Sequence, residues 1–425
     1  MEKPIKRRVK IAFFDYPDVF EDFYPHYSVD QKTFATTWHN TGSHAWLKIV
    51  QEEIGDVTWY VFSLKPEVET EKHQYVNCTI KFMSSSWFHR ILWKFYYTSS
   101  GSWKWRDRFY NLFAILSSYS ALLSFRFFRE LNRNRPDVIF VQEYCSGRFD
   151  ILVLYALLKK IPIITYHAGS TPERYVGKYL KKFTISSANY IFPSGNTELY
   201  RLKKTYGISD LRLGVIRPPV DTSVYKIKDR KEAFNKLNMD SSVRYFIFIC
   251  RLDDDTKCIS SIIRCFQKLC EEFNDLVLLI AGTGNDGIKL KGHAHASADK
   301  IKFLGWVESD DEKSNLLNIS ECLVMASKRE GFPGVISEAF SCGIPVISSR
   351  VGTIPDLVVE DETGWLFEPK DENKLYERMK WVATYPEKVA RMRKHIREIA
   401  TKTVSFNAIT EIMKEGFSMV NERGK

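Results

Sequence analysis

The chain has 425 residues, 44% of them hydrophobic, with 21 glycines and 15 prolines. That length fits two domains of about 200 residues each, and the composition excludes disordered and collagen-like chains. A formal net charge of +10 points to an anionic partner: a nucleic acid, an anionic lipid or a phosphate-bearing substrate.

Basic residues near the start precede only a short apolar run, Ile11–Phe14. A secretory signal needs roughly 7–15 apolar residues, so none is expected. Val9–Phe14 is read as the first strand, and the segment from Asp15 to Asn40 as an insertion rich in aromatics and acids. His44–Glu53 has helical patterning.

The longest apolar stretch, Phe109–Phe128, is interrupted by Asn111, four serines and Arg126. Leu112, Ile115, Leu116, Tyr119, Leu122 and Leu123 recur at helical spacing, so a buried amphipathic helix is expected there, not a spanning one. Around it, Trp87–Arg135 interleaves tryptophans with nine cations against Asp107 and Glu130. This composition predicts peripheral contact with an anionic membrane; the alternative is part core, part solvated surface. Nucleic acid is not expected. The eight cysteines hold no Cys-x-x-Cys pair and read as reduced core residues of a cytoplasmic protein.

Strands and helices then alternate. Val138–Gln142 is a strand, Ile151–Lys160 a helix, and Ile161–Tyr166 and Tyr190–Phe192 are strands. After the linker Arg217-Pro218-Pro219-Val220-Asp221 the pattern restarts with Tyr245–Cys250, Leu276–Ala281, Ile301–Leu304, Cys322–Ala326, Pro345–Ser348 and Trp365–Phe367. A helix over Ser309–Asn318 opens with a capping box of Ser309 and Glu312. This is a chain of two tandem α/β domains, each with a parallel sheet. The expected boundaries are 1–217 and 218–402, with 403–425 a helix crossing back to the first domain. Ligands are expected in an inter-domain cleft, beyond the carboxyl ends of the strands.

One constellation stands out. Ser327-Lys328-Arg329-Glu330-Gly331-Phe332-Pro333-Gly334-Val335-Ile336-Ser337-Glu338 follows the strand Cys322–Ala326. Pro333 suits a first helical turn, and the amides from Gly334 to Ile336 make a helix N-terminus able to hold a diphosphate. Positive charge is at hand in Arg251 and Lys257, beyond the strand Tyr245–Cys250.

These residues resemble glycosyltransferase family 4, of the GT-B fold, and the resemblance implies two Rossmann-like domains. The resemblance rests on Glu330 and Glu338 separated by seven residues, and on Arg251-Leu252 followed by Lys257. It continues through Ser341-Cys342-Gly343-Ile344-Pro345-Val346, Gly352-Thr353-Ile354-Pro355-Asp356 and Thr363-Gly364-Trp365-Leu366. In the first half it is carried by Pro162–His167 and by Gly42. It departs at Cys258, where glycine is usual, at the missing Asn-Gly of the linker, and at the insertion after the first strand.

The resemblance implies a retaining transferase, without metal or cofactor, that moves a sugar from a UDP- or GDP-sugar to a glycan or lipid-linked acceptor. It implies that Arg251, Lys257 and the amides near Pro333, Gly334 and Val335 hold the diphosphate, and that Glu338 binds the ribose. Glu330, with Gly331 and Phe332, would bind the sugar, and His167 would reach the reaction centre. Gly42 would face the donor. The literal G-x-G-x-x-G at Gly282–Gly287 is read as a turn near the donor, not as a dinucleotide site. An epimerase of the same fold and a non-catalytic sugar-nucleotide binder are the alternatives.

Overall fold

The computed structural model describes residues 7–27, 29–39, 42–97, 115–167 and 178–423. Two compact units are present: Met1–Ile216 with Thr410–Lys425, and Arg217–Ile409.

The first unit is built on seven strands: β1 (Val9–Phe14), β2 (Gly55–Ser63), β3 (Thr70–Lys72), β4 (Thr79–Ser84), β5 (Val138–Gln142), β6 (Ile163–His167) and β7 (Tyr190–Pro193). Their order is β3-β4-β2-β1-β5-β6-β7, parallel except for β3, which runs antiparallel to β4. The central strands are apolar along their length because helices cover both faces. On one face Phe14, Tyr60, Ile139 and Val141 meet Phe127, Phe149, Leu152 and Ile185. On the other, Trp46 of the helix Gly42–Ile49 lies 4.1 Å from Tyr166, and Phe417 of the helix Phe406–Arg423 lies 5.8 Å from Phe140, ring to ring.

The sheet reverses its winding between β1 and β5, and Arg148 sits there. Its guanidinium donates to the carbonyls of Asp15 and Tyr16 at 2.7 and 2.8 Å and pairs with Asp18 at 2.8 Å. The insertion is thereby anchored where it leaves β1. Its rings, among them Phe20, Tyr24 and Phe34, pack against one another and against Trp59.

Two sequence expectations change here. Strands β2, β3 and β4 have no counterpart in the sequence reading; β3 is only three residues long and polar, too short to show a period. The continuous helix over Phe109–Phe128 is not found. Residues 109–114 lie outside the described residues, and the chain turns at 121–124 before a separate helix, Phe125–Arg133, starts after Ser124. The stripe misled because the buried face is mixed. Leu122 is core, but Leu116 and Leu123 are 39% and 53% exposed, whereas Ser117, Ser118 and Ser120 are buried. Ser118 Oγ donates to Asp18 and accepts from the Gly147 amide.

The second unit holds β8 (Arg244–Ile249), β9 (Leu276–Ala281), β10 (Ile301–Gly305), β11 (Ser320–Met325), β12 (Val346–Ser349) and β13 (Gly364–Phe367). All are parallel, in the order β10-β9-β8-β11-β12-β13. Alternate residues of β8 serve opposite cores: Tyr245 and Ile247 on one face, Phe246 and Phe248 on the other. Each fully buried side chain of this kind contributes roughly 1.5–3 kcal/mol. The helix Asp310–Ile319 begins where Ser309 caps the Glu312 amide.

Asp22, in the insertion, accepts hydrogen bonds from Trp93 Nε1 at 2.8 Å and from the Val19 amide at 3.2 Å. Burial, with the nearby Asp18 charge, pushes its carboxyl up to about 7. The folded chain therefore holds this proton more tightly than the unfolded chain does. Stability is lost as pH rises from the unfolded value of 3.8 through the folded one. Asp22→Asn is expected to raise stability by on the order of 1–2 kcal/mol near pH 8, with the gain fading towards pH 4. Denaturant titrations at the two pH values check this; an equal effect at both contradicts it.

Candidate active site

Winding in the second unit reverses between β8 and β11, which opens a crevice beyond their carboxyl ends. The two loops bordering it are tied directly. The Lys328 amide donates to the Thr256 carbonyl at 2.8 Å. Lys257 Nζ lies 2.6 Å from Glu330 Oε1, with side chains only 11% and 9% exposed. Ser327 Oγ donates to the same carboxylate oxygen at 2.6 Å. Burial alone would lower the Lys257 pKa, but Cys250 and Glu330 outweigh it, and the ammonium is held above its usual range.

The loop after β11 is also held from the β12 side. Ser349 Oγ donates to the Ser327 carbonyl at 2.6 Å. Thr353 donates to the Gly331 carbonyl through its amide and its hydroxyl, at 3.2 and 2.8 Å. Gly352 has φ +55°, and a Cβ there would run into the Glu330 carbonyl oxygen. Glu330 and Gly331 thus owe their position to Gly352 and Thr353, neither of which the sequence reading placed in the site. The signal was the Gly-Thr-x-Pro-Asp run.

The helix after this loop is Gly334–Ser341, with Pro333 as its N-cap at φ −75°, ψ 113°. Pro333 therefore stands one residue before the expected first turn. The Ile336 amide is taken by the Pro333 carbonyl at 3.1 Å, so it drops out of the expected anion-binding amides, which leaves Gly334 and Val335. Phe332 packs against the adjacent core. Glu338, 22% exposed at its side chain, faces Lys313 Nζ at 4.0 Å. Burial raises its pKa, Lys313 lowers it and Asp310 raises it, with a net rise. Lys313 is a third residue that sequence alone did not bring to the site; it reads as one more charge on the helix Asp310–Ile319.

Arg251 does not join the buried pair. Its side chain is 60% exposed and reaches Asp253 at 3.1 Å. An exposed pair of this kind holds by less than about 1 kcal/mol, so the guanidinium is easily redirected. Two carboxylates of the acidic run hold backbone amides: Asp253 caps the helix Asp254–Lys257, and Asp254 accepts from the Ser260 amide; Asp255 pairs at the surface with Lys328 at 3.0 Å. Cys258 takes the left-handed conformation, φ 51° and ψ 44°, which is the backbone reason that glycine suits this position.

Gly282 has φ +135°, and a Cβ there would collide with the Cys250 carbonyl. Its place in the site is indirect, supporting the turn that carries Arg251. The following helix, Gly287–Ala294, forms but buries only Leu290 and Ala294. It leaves β9, one strand away from the winding reversal.

In the first unit, Gly42 opens the helix Gly42–Ile49, and Ser43 Oγ donates to Gln142 at the end of β5. His167 closes β6 and is wholly buried. Tyr144 stacks on its ring at 4.0 Å, Glu143 Oε2 lies 2.6 Å from Nδ1, and Arg201 reaches Nε2 at 3.3 Å.

Residues 229–399 match the family model described as glycosyl transferases group 1. The chain is 30% identical over 155 residues to N-acetyl-alpha-D-glucosaminyl L-malate synthase of Bacillus anthracis, covering 36% of this chain and 39% of that protein. It thus spans about two fifths of that relative's length. Among solved structures it is similar to sucrose-phosphate synthase of Thermosynechococcus elongatus, with a TM-score of 0.71, 16% identity and coverage of 98% and 100% of the two chains. It is also similar to Anabaena HepE in complex with UDP, with a TM-score of 0.66, 14% identity and coverage of 96% and 99%. With the two parallel sheets described above, these likenesses give the fold as GT-B, two Rossmann-like domains.

Removing one member of a buried ion pair leaves an uncompensated charge, at a cost of roughly 3–5 kcal/mol. Lys257→Met is expected to lose stability on that scale, and adding Glu330→Gln to recover most of it, in a urea-denaturation double-mutant cycle. Additive losses would show that the two side chains are not coupled.

Proposed function

We propose, from the match of residues 229–399 to the glycosyl transferases group 1 model, that the chain is a retaining glycosyltransferase using a UDP- or GDP-sugar. The observation that carries this reading is the convergence of Lys257, Glu330, Glu338 and the Gly334 and Val335 amides beside one winding reversal. The donor diphosphate lies on the two amides and draws in Lys257 and Arg251. Glu338 accepts from the ribose, and Glu330 from the sugar hydroxyls once Lys257 turns to phosphate. As the glycosidic bond breaks, charge builds on the departing diphosphate, and fixed donors that strengthen with that charge lower the barrier. His167 is the first unit's contribution to the reaction. The transfer needs no divalent metal: Lys257 and the helix N-terminus supply the positive potential, and Asp253 and Asp254 already accept from backbone amides. The UDP held by HepE favours a uridine donor.

The acceptor is a lipid-linked or cell-surface glycan precursor, met at the inner face of a membrane. Supporting this, Trp87, Phe88, Leu123 and Phe125 are exposed by 68%, 44%, 53% and 84% within the basic Trp87–Arg135 segment. Residues 98–114 of it lie outside the described residues. The segment is not uniform: Phe127 and Leu131 are core, and Trp93 bonds Asp22. The attachment proposed is peripheral; no helix among the described residues is long and apolar enough to cross a membrane.

A screen of uridine, guanosine and adenosine diphosphate sugars, read as nucleotide release with and without acceptor, tests the reaction. Release only with acceptor is expected; release without it, or sugar interconversion alone, would overturn transfer. Glu338→Ala is expected to raise the donor KM at little change in kcat. Lys257→Ala is expected to lower kcat by about 100-fold, the cost of one transition-state contact of on the order of 3 kcal/mol. A wild-type rate in the Lys257 variant would contradict its role. Co-sedimentation should show binding to anionic vesicles that weakens in high salt. Equal binding to neutral vesicles, or none to either, would remove the membrane claim.

A further inference from the structure

In the first unit, the helices Phe125–Arg133, Gly147–Lys159, Lys178–Ser187 and Asn196–Tyr206 form one layer over the sheet. Phe127, Phe149, Ile185 and Leu202 turn from them into a common core. Neighbours are tied by Phe128 against Tyr155, rings 5.3 Å apart, by Lys181 on Asp150 at 3.0 Å, and by Ser186 Oγ on the Tyr206 carbonyl at 3.1 Å. A helix over a sheet ordinarily turns apolar side chains inward and charge to water. Here part of that pattern is reversed. In the second helix Asp150 is buried, while Leu154, Leu157 and Leu158, spaced to share one side, are exposed. In the third, Lys181 and Thr184 are buried, while Tyr179 and Phe183 are exposed. In the fourth, Glu198 is buried and Tyr200 exposed. Single exposed apolar side chains are ordinary, but stripes of them on adjacent helices mark an interaction surface.

The charge of this layer is one-sided. Its four helices carry three carboxylates, Glu130, Asp150 and Glu198, and none of them is exposed. They pair with Lys81, Lys181 and Arg201. Arg126, Arg129, Arg133, Lys182 and Lys204 are exposed. The outer face thus presents apolar side chains among cations, with no exposed carboxylate on its own helices. A second copy of the chain is a poor occupant, because a two-fold interface sets a patch against itself and would bring these cations together. An anionic bilayer answers both features: its acyl boundary takes the leucines and rings, and its headgroups take the charge.

We propose that the outer face of this helix layer docks the chain on an anionic lipid bilayer, with Leu158, Tyr179 and Phe183 entering the interface and Lys182 and Lys204 meeting lipid phosphates. For its partner the proposal rests on the membrane contact proposed above. It carries that contact beyond Trp87–Arg135 to three helices outside that segment.

The test is sedimentation of the full chain with phosphatidylcholine vesicles made with and without phosphatidylglycerol. The wild type is expected to bind the mixed vesicles and not the neutral ones. Leu158→Ser with Phe183→Ser, and separately Lys182→Glu with Lys204→Glu, should each weaken binding by about tenfold or more at an unchanged thermal midpoint. The lysine pair, exposed on the surface, serves if the apolar pair does not fold. Wild-type affinity in either folded variant overturns this face. Trp87→Ser with Phe88→Ser separates the two claims: if it alone loses binding, the earlier contact stands and this one falls. A wild type that binds neither kind of vesicle, or both alike, overturns both. A dimer in solution that the same variants dissolve assigns the face to a second copy and overturns lipid docking.

Discussion

A lysine and a glutamate with little water around either hold the donor-side loops of the second unit together. Lys257 and Glu330 belong to loops from different strands, and their contact, with the serine that shares the same oxygen, fixes how far apart those loops sit. Without it, both loops would carry an unpaired charge against an apolar core. The pair also sets the terms on which an anion enters. On the function proposed above, a diphosphate would offer Lys257 more negative charge than one carboxylate does, with Ser327 left to hold Glu330. Partner exchange of this kind would avoid a buried unpaired charge in either state.

The two sheets use the same topological feature in opposite ways. In the second unit the winding reversal is bordered by a helix N-terminus and by charges that can change partners. In the first unit Arg148 fills the reversal, bonded to carbonyls of the insertion and to Asp18. A guanidinium spent on its own chain cannot serve a ligand. The polar groups left at that edge are His167 and its neighbours at the ends of β5 and β6.

Much of this was legible in the sequence because parallel strands buried on both faces are written as unbroken apolar runs. β9 was read residue for residue, and the other strands of the second sheet to within two residues. The donor-side loops were legible because glycine, proline and acid fall at spacings that only a strand–loop–helix junction explains. What was not legible depended on contacts distant in sequence. The stripe from Leu112 to Leu123 looked like a buried face, yet Leu116 and Leu123 are exposed while Ser118 faces inward to Asp18 and the Gly147 amide, and Ser117 and Ser120 to His89. Arg251 and Lys257 looked equivalent, six residues apart, but one pairs at the surface with Asp253 and the other reaches Glu330. Gly282 was read as a turn near the donor, but the close approach of the Cys250 carbonyl that requires a glycine there was not legible.

The most direct measurement is a crystal structure of the chain with uridine or guanosine diphosphate. The account predicts the terminal phosphate on the Gly334 and Val335 amides with Lys257 turned to it, Glu330 released from that lysine, and a ribose hydroxyl on Glu338. A nucleotide bound elsewhere, such as along Gly282–Gly287, or bound with the Lys257–Glu330 pair intact, would contradict it.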